Sequence, residues 1–292
     1  MQRNQKVGYL FIAPAALHLL LFAIVPIGYA LWLSLYRWNL LKDDRPFVGF
    51  KNYTDAFTDQ AFWNAMWNSA RFALTSVPLG MLVALLVAVL VAQKLKGVAF
   101  FRTLYYIPAV SSGVAISMLW IYVYLPKTGL INTASAMFGI PSVDFLNRTE
   151  WAMWALVFMS IWTGLGPKMI IYVAGLMGIP PELYEAAEID GAKGWSRFWK
   201  ITIPMLSPTT LFVLVTGTIG AFQLFTPIYM MTKGGPKDST NVIGYHIYQE
   251  AWTRFQAGSA AAQSFILLLV VAGVAWVQYR LMRNQLEGYA TG

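Results

Sequence analysis

Glu182, Glu185, Glu188 and Asp190 crowd into one short polar stretch of a chain that holds only 13 acidic residues in 292. Carboxylates so close together can do acid–base work or anchor another protein through charge. A second candidate is Lys168, the only charged residue for many positions on either side. A third set is Phe222, Gln223, Phe225, Thr226 and Tyr229. Amide and hydroxyl groups hydrogen-bond polar solutes, and aromatic faces pack on apolar ring faces. Trp162 and Tyr172, near Lys168 in sequence, join this set as candidate lining of a solute path.

Other chemistry is excluded. With no cysteine there are no disulfides, thiolate metal sites or cysteine nucleophiles. His18 and His246 are the only histidines, and neither has a partner at metal-ligand spacing, so both read as structural and no metal is expected. A phosphate-cradling loop needs G-x-x-x-x-G-K-[ST]. The nearest approach, Gly234-Gly235-Pro236-Lys237-Asp238-Ser239-Thr240, has the wrong spacing and a proline before the lysine, and reads as a turn. The chain therefore needs a partner for any ATP-driven work.

The elements that position these residues are set by hydropathy. Charged residues make up 12% and hydrophobic residues 58% of the chain, with a mean hydropathy of +0.54. A soluble domain carries roughly 25% charge. Crossing a bilayer takes about 20 apolar residues, and a chain in lipid must satisfy its own backbone, so long apolar runs are helices. Six spans are expected, near 8–36, 70–93, 103–126, 151–178, 205–232 and 258–280, in one all-α domain over 1–292. The first run is too long for a cleaved secretory signal and continues into Tyr29, Trp32, Tyr36 and Trp38, an interfacial aromatic belt. A net charge of +8 is spread through the loops, which fits anionic headgroups rather than nucleic acid.

An even number of spans puts both termini on one side. Basic residues divide nearly evenly, but the segments on the terminal side are shorter, so their density favours cytoplasmic termini. The acidic stretch then lies in the cytoplasm. Pro180-Pro181 ends the fourth span and starts a short helix, with Glu182, Glu185 and Glu188 near its positive end. Gly191 can take the left-handed conformation that stops this helix, and Ser196 can cap the next, which runs to Pro204. Two short helices at an elbow result, with Ala186 and Ala187 small enough for another backbone to approach and Glu185 as a charged anchor. Tyr53 and Phe57, after the first span, predict a helix on the outer membrane face.

Lys168 lies roughly 20 Å of helix above Glu182, inside a hydrocarbon core about 30 Å thick. Gly164, Gly166 and Pro167 beside it predict a break in the fourth span that lines a cavity, the alternative being a packing kink with a snorkelling lysine. Gln223 and Thr226 have an alternative role as hydrogen-bonding glue between helices.

The ordered pattern Glu185-Ala186-Ala187, three residues, Gly191, nine residues, Ile201-Thr202-Ile203-Pro204 closely resembles the EAA loop of binding-protein-dependent ABC importers, with Ile203 in place of leucine. Phe47-Val48-Gly49 with Asn52-Tyr53, and the run from Phe222 to Pro236, resemble further segments of carbohydrate-uptake permeases, with Thr226 where aspartate is common. The resemblance covers nearly the whole chain. It implies a type I importer permease, a transport subunit and not an enzyme, in a bacterial inner membrane. It also implies a second homologous permease, two ATP-binding subunits that hold ATP and Mg, an extracytoplasmic solute-binding protein, membrane lipid and a sugar-like solute. Glu185, Ala186, Ala187, Asp190 and Gly191 would then couple to the ATPase. The alternatives are an ion-gradient-driven transporter, which should show intramembrane acids or an inverted repeat, and a membrane-embedded glycosyl-transfer enzyme using Asp144, Glu150 or the acidic stretch.

Overall fold

The computed structural model describes residues 2–92 and 97–290; Lys94, Lys96 and the end of the second expected span lie outside them. Helices follow the apolar runs because only intrahelical bonds can satisfy the backbone in lipid. They are α1 (Tyr9–Ser34), α2 (Lys51–Thr58), α3 (Gln60–Val91), α4 (Val98–Val110), α5 (Gly113–Val123), α6 (Leu130–Ala136), α7 (Thr149–Met177), α8 (Pro181–Ile189), α9 (Gly194–Met205), α10 (Ser207–Phe222), α11 (Ile243–Tyr248) and α12 (Ala257–Ala290). Among the described residues there are no strands beyond two isolated bridges.

Four of these helices, α1, α3, α7 and α12, are each long and apolar enough to cross a membrane. The third expected span is instead two helices, α4 and α5, bent by 101°. Ser111 and Ser112 are extended at the bend, and the Ser111 hydroxyl donates to the Ile107 carbonyl at 2.9 Å, replacing the backbone donor that the break removes. The fifth departs as well. α9 meets α10 at 62°, and α10 stops at Phe222 rather than running to 232. Gln223 turns, Leu224 and Phe225 leave the helix, and the chain resumes at Thr226, where Pro227 in a first turn needs no N–H partner, before widening into a π-turn at Ile228–Thr232.

The fourth span corrects the expectation in the opposite sense: α7 runs unbroken through Pro167. Its glycines serve packing instead. A Cβ on Gly166 would meet the Tyr105 carbonyl and Tyr106 Cα, and one on Gly175 would meet Thr209 and Leu206. Gly166 thus lets α4 lie against α7.

The chain divides into two compact units. The first, residues 1–63 with 246–269, is stitched by Asn52, whose buried amide donates to the Ser34 carbonyl at 2.7 Å and the Tyr36 carbonyl at 2.9 Å. Ser34 and Tyr53 share a hydroxyl contact of 2.7 Å, so the Asn-Tyr pair holds the end of α1 to α2. The helix predicted from Tyr53 and Phe57 is α2 and ends at Thr58; Ala61, at the same four-residue spacing after Phe57, belongs to α3. α1 itself buries none of its most apolar window within the chain. His246 is buried here with its Nε2 3.9 Å from Asp59.

The second unit, residues 64–245 with 270–292, has a core of Ala84, Ala88, Leu165, Met169, Tyr172, Val173, Leu206 and Val213. The Gly-Gly-Pro segment is a turn, as expected, with Lys233, Gly234, Lys237 and Asp238 at positive φ. Asn68 donates to the carbonyls of Asp238 (2.8 Å) and Asn241 (3.1 Å), and the Ile243 N–H donates to Ser69 Oγ at 2.8 Å. These bonds pin the turn to α3.

Candidate functional site: an exposed elbow and a cavity among the helices

α8 begins at Pro181, whose missing N–H costs nothing in a first turn, and ends at Asp190. Gly191 follows at φ +74, the left-handed conformation that reverses the chain, and the Ala192 N–H bonds back to the Ala187 carbonyl at 2.8 Å. Ser196 does not cap the next helix, because α9 starts earlier, at Gly194, with Lys193 as its flanking residue. Within α9, residues Phe198–Thr202 widen into a π-turn before Pro204.

Glu185, Ala186, Asp190 and Gly191 are exposed and Ala187 is half-buried, so this face of the elbow is open to a partner. The elbow is braced internally. Tyr184 Oη lies 2.9 Å from Thr202 Oγ1, and Arg197 pairs with Glu188 at 3.2 Å, which joins α8 to α9 across the turn. Large apolar side chains, missed in the sequence, also lie open here: Ile189 is 87% and Trp195 73% exposed, with Trp199 edge-on to Trp195. Aromatic residues in a hydrophilic loop were the available signal.

The second feature is a cavity of about 260 Å³ lined by Phe72, Ser76, Ser160, Thr163, Lys168, Gly217, Gly220 and Leu224, from α3, α7, α10 and the segment after it. Three glycines make room for the lysine. A Cβ at Gly80 would sit 2.9 Å from Lys168 Nζ, one at Gly164 3.3 Å from it, and one at Gly217 4.0 Å from Cε. Gly80 and Gly217 come from other helices, which is why only Gly164 stood out in the sequence. An ammonium at the centre of a membrane helix costs about 2.5–3.5 kcal/mol even on insertion scales, so its retention needs a reason.

The other expected pathway residues fall in different places. The two backbone breaks meet: a Cβ at Gly113 would be 3.5 Å from Thr226 Cγ2. Irregular backbone is tolerated at this depth when protein covers it. Beside the break, Phe225 stacks on Tyr229 with centroids 5.6 Å apart, and Tyr245, which the sequence reading missed, lies 6.3 and 6.4 Å from them. Gln223 is exposed at the end of α10. Trp162 is edge-on to Trp120 at 5.7 Å. Tyr172 is buried in the core, where it bonds Thr210. Phe222 lines a separate, mostly apolar cavity of about 250 Å³, where Gln278 donates to Thr218 Oγ1 at 2.9 Å. Of the expected pathway residues, Lys168 alone lines the cavity between α3, α7 and α10. Among the described residues no cluster of histidine or carboxylate side chains could hold a metal.

Residues 76–285, which contain the elbow, both breaks and all of the lysine cavity's lining but Phe72, match the family described as "Binding-protein-dependent transport system inner membrane component". The chain belongs to this family. It is 35% identical to the probable ABC transporter permease protein YesP of Bacillus subtilis (strain 168), over 96% of this chain and 91% of that one. It is 34% identical to the sn-glycerol-3-phosphate transport system permease protein UgpA of Escherichia coli (strain UTI89 / UPEC), over 98% and 97% of the two chains. In architecture it matches a subunit of the bacterial alginate ABC transporter crystallised with alginate pentasaccharide-bound periplasmic protein, at a TM-score of 0.83 with 23% identity, covering 97% of this chain and 96% of that one.

This permease is therefore an inner-membrane transport subunit with the type I importer fold, not an enzyme, and it works in a binding-protein-dependent system. The ion-coupled and glycosyl-transfer alternatives are set aside.

Proposed function

We propose that this permease carries a sugar or sugar-like solute inward as one of two homologous permeases, driven by two ATP-binding subunits that dock on the elbow. The carrying observation is the open face of the α8–Gly191–α9 elbow, braced between its two helices, with Glu185 and Ala186 exposed and Ala187 half-buried beside them. A braced helix pair transmits a rigid-body push; a floppy loop does not. Glu185 and Asp190 supply charge, Ala186 and Ala187 close approach, and Gly191 the bend. ATP and Mg would be bound by the docked subunits, since the nearest phosphate-loop imitation here is a turn.

The relatives support the solute class: one is named for sn-glycerol 3-phosphate, and the matched structure belongs to an alginate transporter. In this permease the path would run past Lys168 in the cavity and the Gln223, Phe225, Thr226 and Tyr229 break, with Trp162 flanking and Tyr172 and Phe222 acting through packing. The termini and elbow would be cytoplasmic, all six spans forming one transport domain, with the solute-binding protein delivering from the opposite face.

Native mass spectrometry of the gently solubilised permease tests the reading. The parent should be recovered with one second permease and two ATPase subunits, and a Glu185→Lys variant should lose the ATPases. A homodimer or lone chain, indifferent to that change, would refute it.

A further inference from the structure

Lys168 holds a positive charge in a cavity that offers it no counter-ion. The lining supplies hydroxyls from Ser76, Ser160 and Thr163 and no Asp or Glu, and among the described residues the ammonium makes no ion pair. The acidic residue of its own helix, Glu150, is about 27 Å away along the axis. The side chain is half-buried and lies among packed helices. Gly80, Gly164 and Gly217, from three helices, leave the space it occupies, and any larger side chain at Gly80 would run into Nζ.

The lining divides the recognition chemistry. An ammonium only donates, whereas a hydroxyl both donates and accepts. Thr163 already gives its proton to the Met159 and Ser160 carbonyls at 3.1 and 3.2 Å, which leaves its oxygen to accept. Hydroxyls suffice for a neutral sugar. An ammonium gains most where the passing group is itself negative, because hydrogen bonds between two charged groups are about twice as strong as neutral ones.

We infer that Lys168 is the transient counter-ion of an acidic solute, so that the carbohydrate carried bears a carboxylate or a phosphate. This rests on the carbohydrate-importer reading above and narrows it. The charge on the solute neutralises the lysine during passage, and its hydroxyls meet Ser76, Ser160 and Thr163.

The test is uptake by cells expressing the whole transporter, using labelled digalacturonate against galactobiose and sn-glycerol 3-phosphate against glycerol. The parent should take up one acidic probe at least tenfold faster than its neutral counterpart, and the responding pair tells carboxylate from phosphate. Lys168→Met should lower that acidic uptake at least tenfold with the complex still recovered intact, and Lys168→Arg should restore most of it. The inference is overturned if the parent prefers a neutral probe, or if Lys168→Met lowers acidic and neutral uptake alike. It is overturned too if Lys168→Met loses the second permease, which would make the lysine's partner a carboxylate of that subunit. Failure of the carbohydrate reading itself is told apart, because then no probe, acidic or neutral, enters.

Discussion

The elbow and the lysine cavity are built by opposite means. The elbow is made of consecutive residues: a proline start, a glycine stop at φ +74 and a brace between neighbouring helices. The cavity is assembled from α3, α7 and α10, and its shape depends on glycines more than a hundred residues apart. A local device can be moved as one piece without disturbing its surroundings, whereas a cavity between helices changes whenever those helices shift. That difference suits one to receiving a push and the other to opening and closing around a solute.

Substitutions should separate the two. The largest effect is expected from Gly191→Val. Left-handed backbone costs a side-chain-bearing residue about 1–2 kcal/mol, and the space around Gly191 is open, so strain and not collision would redirect α9. Uptake should fall at least ~tenfold, a change of about 1.4 kcal/mol in the barrier, while membrane insertion and the thermal midpoint stay near the parent's. Normal uptake would remove the elbow from coupling.

Gly166→Leu should do the reverse. Its side chain would meet the Tyr105 and Tyr106 backbone and cost about 1–3 kcal/mol by overpacking, read as a lower thermal midpoint of the purified complex. Gly80→Val is milder, because the atom it meets is the mobile end of Lys168. The expectation is a several-fold change in the apparent KM for uptake with the ATPases still bound, which would tie the cavity to the solute and not to docking. The smallest effect is expected from Gln278→Leu, which removes the 2.9 Å bond to Thr218. Such interhelical bonds contribute about 0.6 kcal/mol on average, so only a fine denaturation series would detect it.

The same contrast explains what was legible beforehand. The elbow was largely readable, since Pro181 and Gly191 act through their own backbone; the cap was misplaced, from Lys193 to Ser196, and Glu188 lies in the last turn of α8, paired with Arg197, and not near the helix's positive end. Lys168 was readable as a charge out of place, but the break expected beside it was not there. Gly166 and Pro167 looked like a hinge because a glycine that admits a neighbouring helix and a glycine that permits a bend are identical in sequence. The real breaks, at Ser111-Ser112 and after Phe222 at Gln223 to Phe225, lie inside uncharged runs that hydropathy reads as continuous spans, although their serines and glutamine are polar.

The sequence by itself determined the class of molecule: its apolar runs exceed a bilayer's thickness, its charges cluster where water must be, and its polar elbow carries its own start and stop. Hydropathy and backbone restriction are properties of residues and their immediate neighbours, so they need no partner to be read. The tertiary structure alone decided which glycines surround Lys168, that Tyr245 joins Phe225 and Tyr229, and that Gly113 faces Thr226. These are contacts across helices, set by how side-chain volumes interlock at close packing, and no local pattern encodes which distant residue fills a given gap.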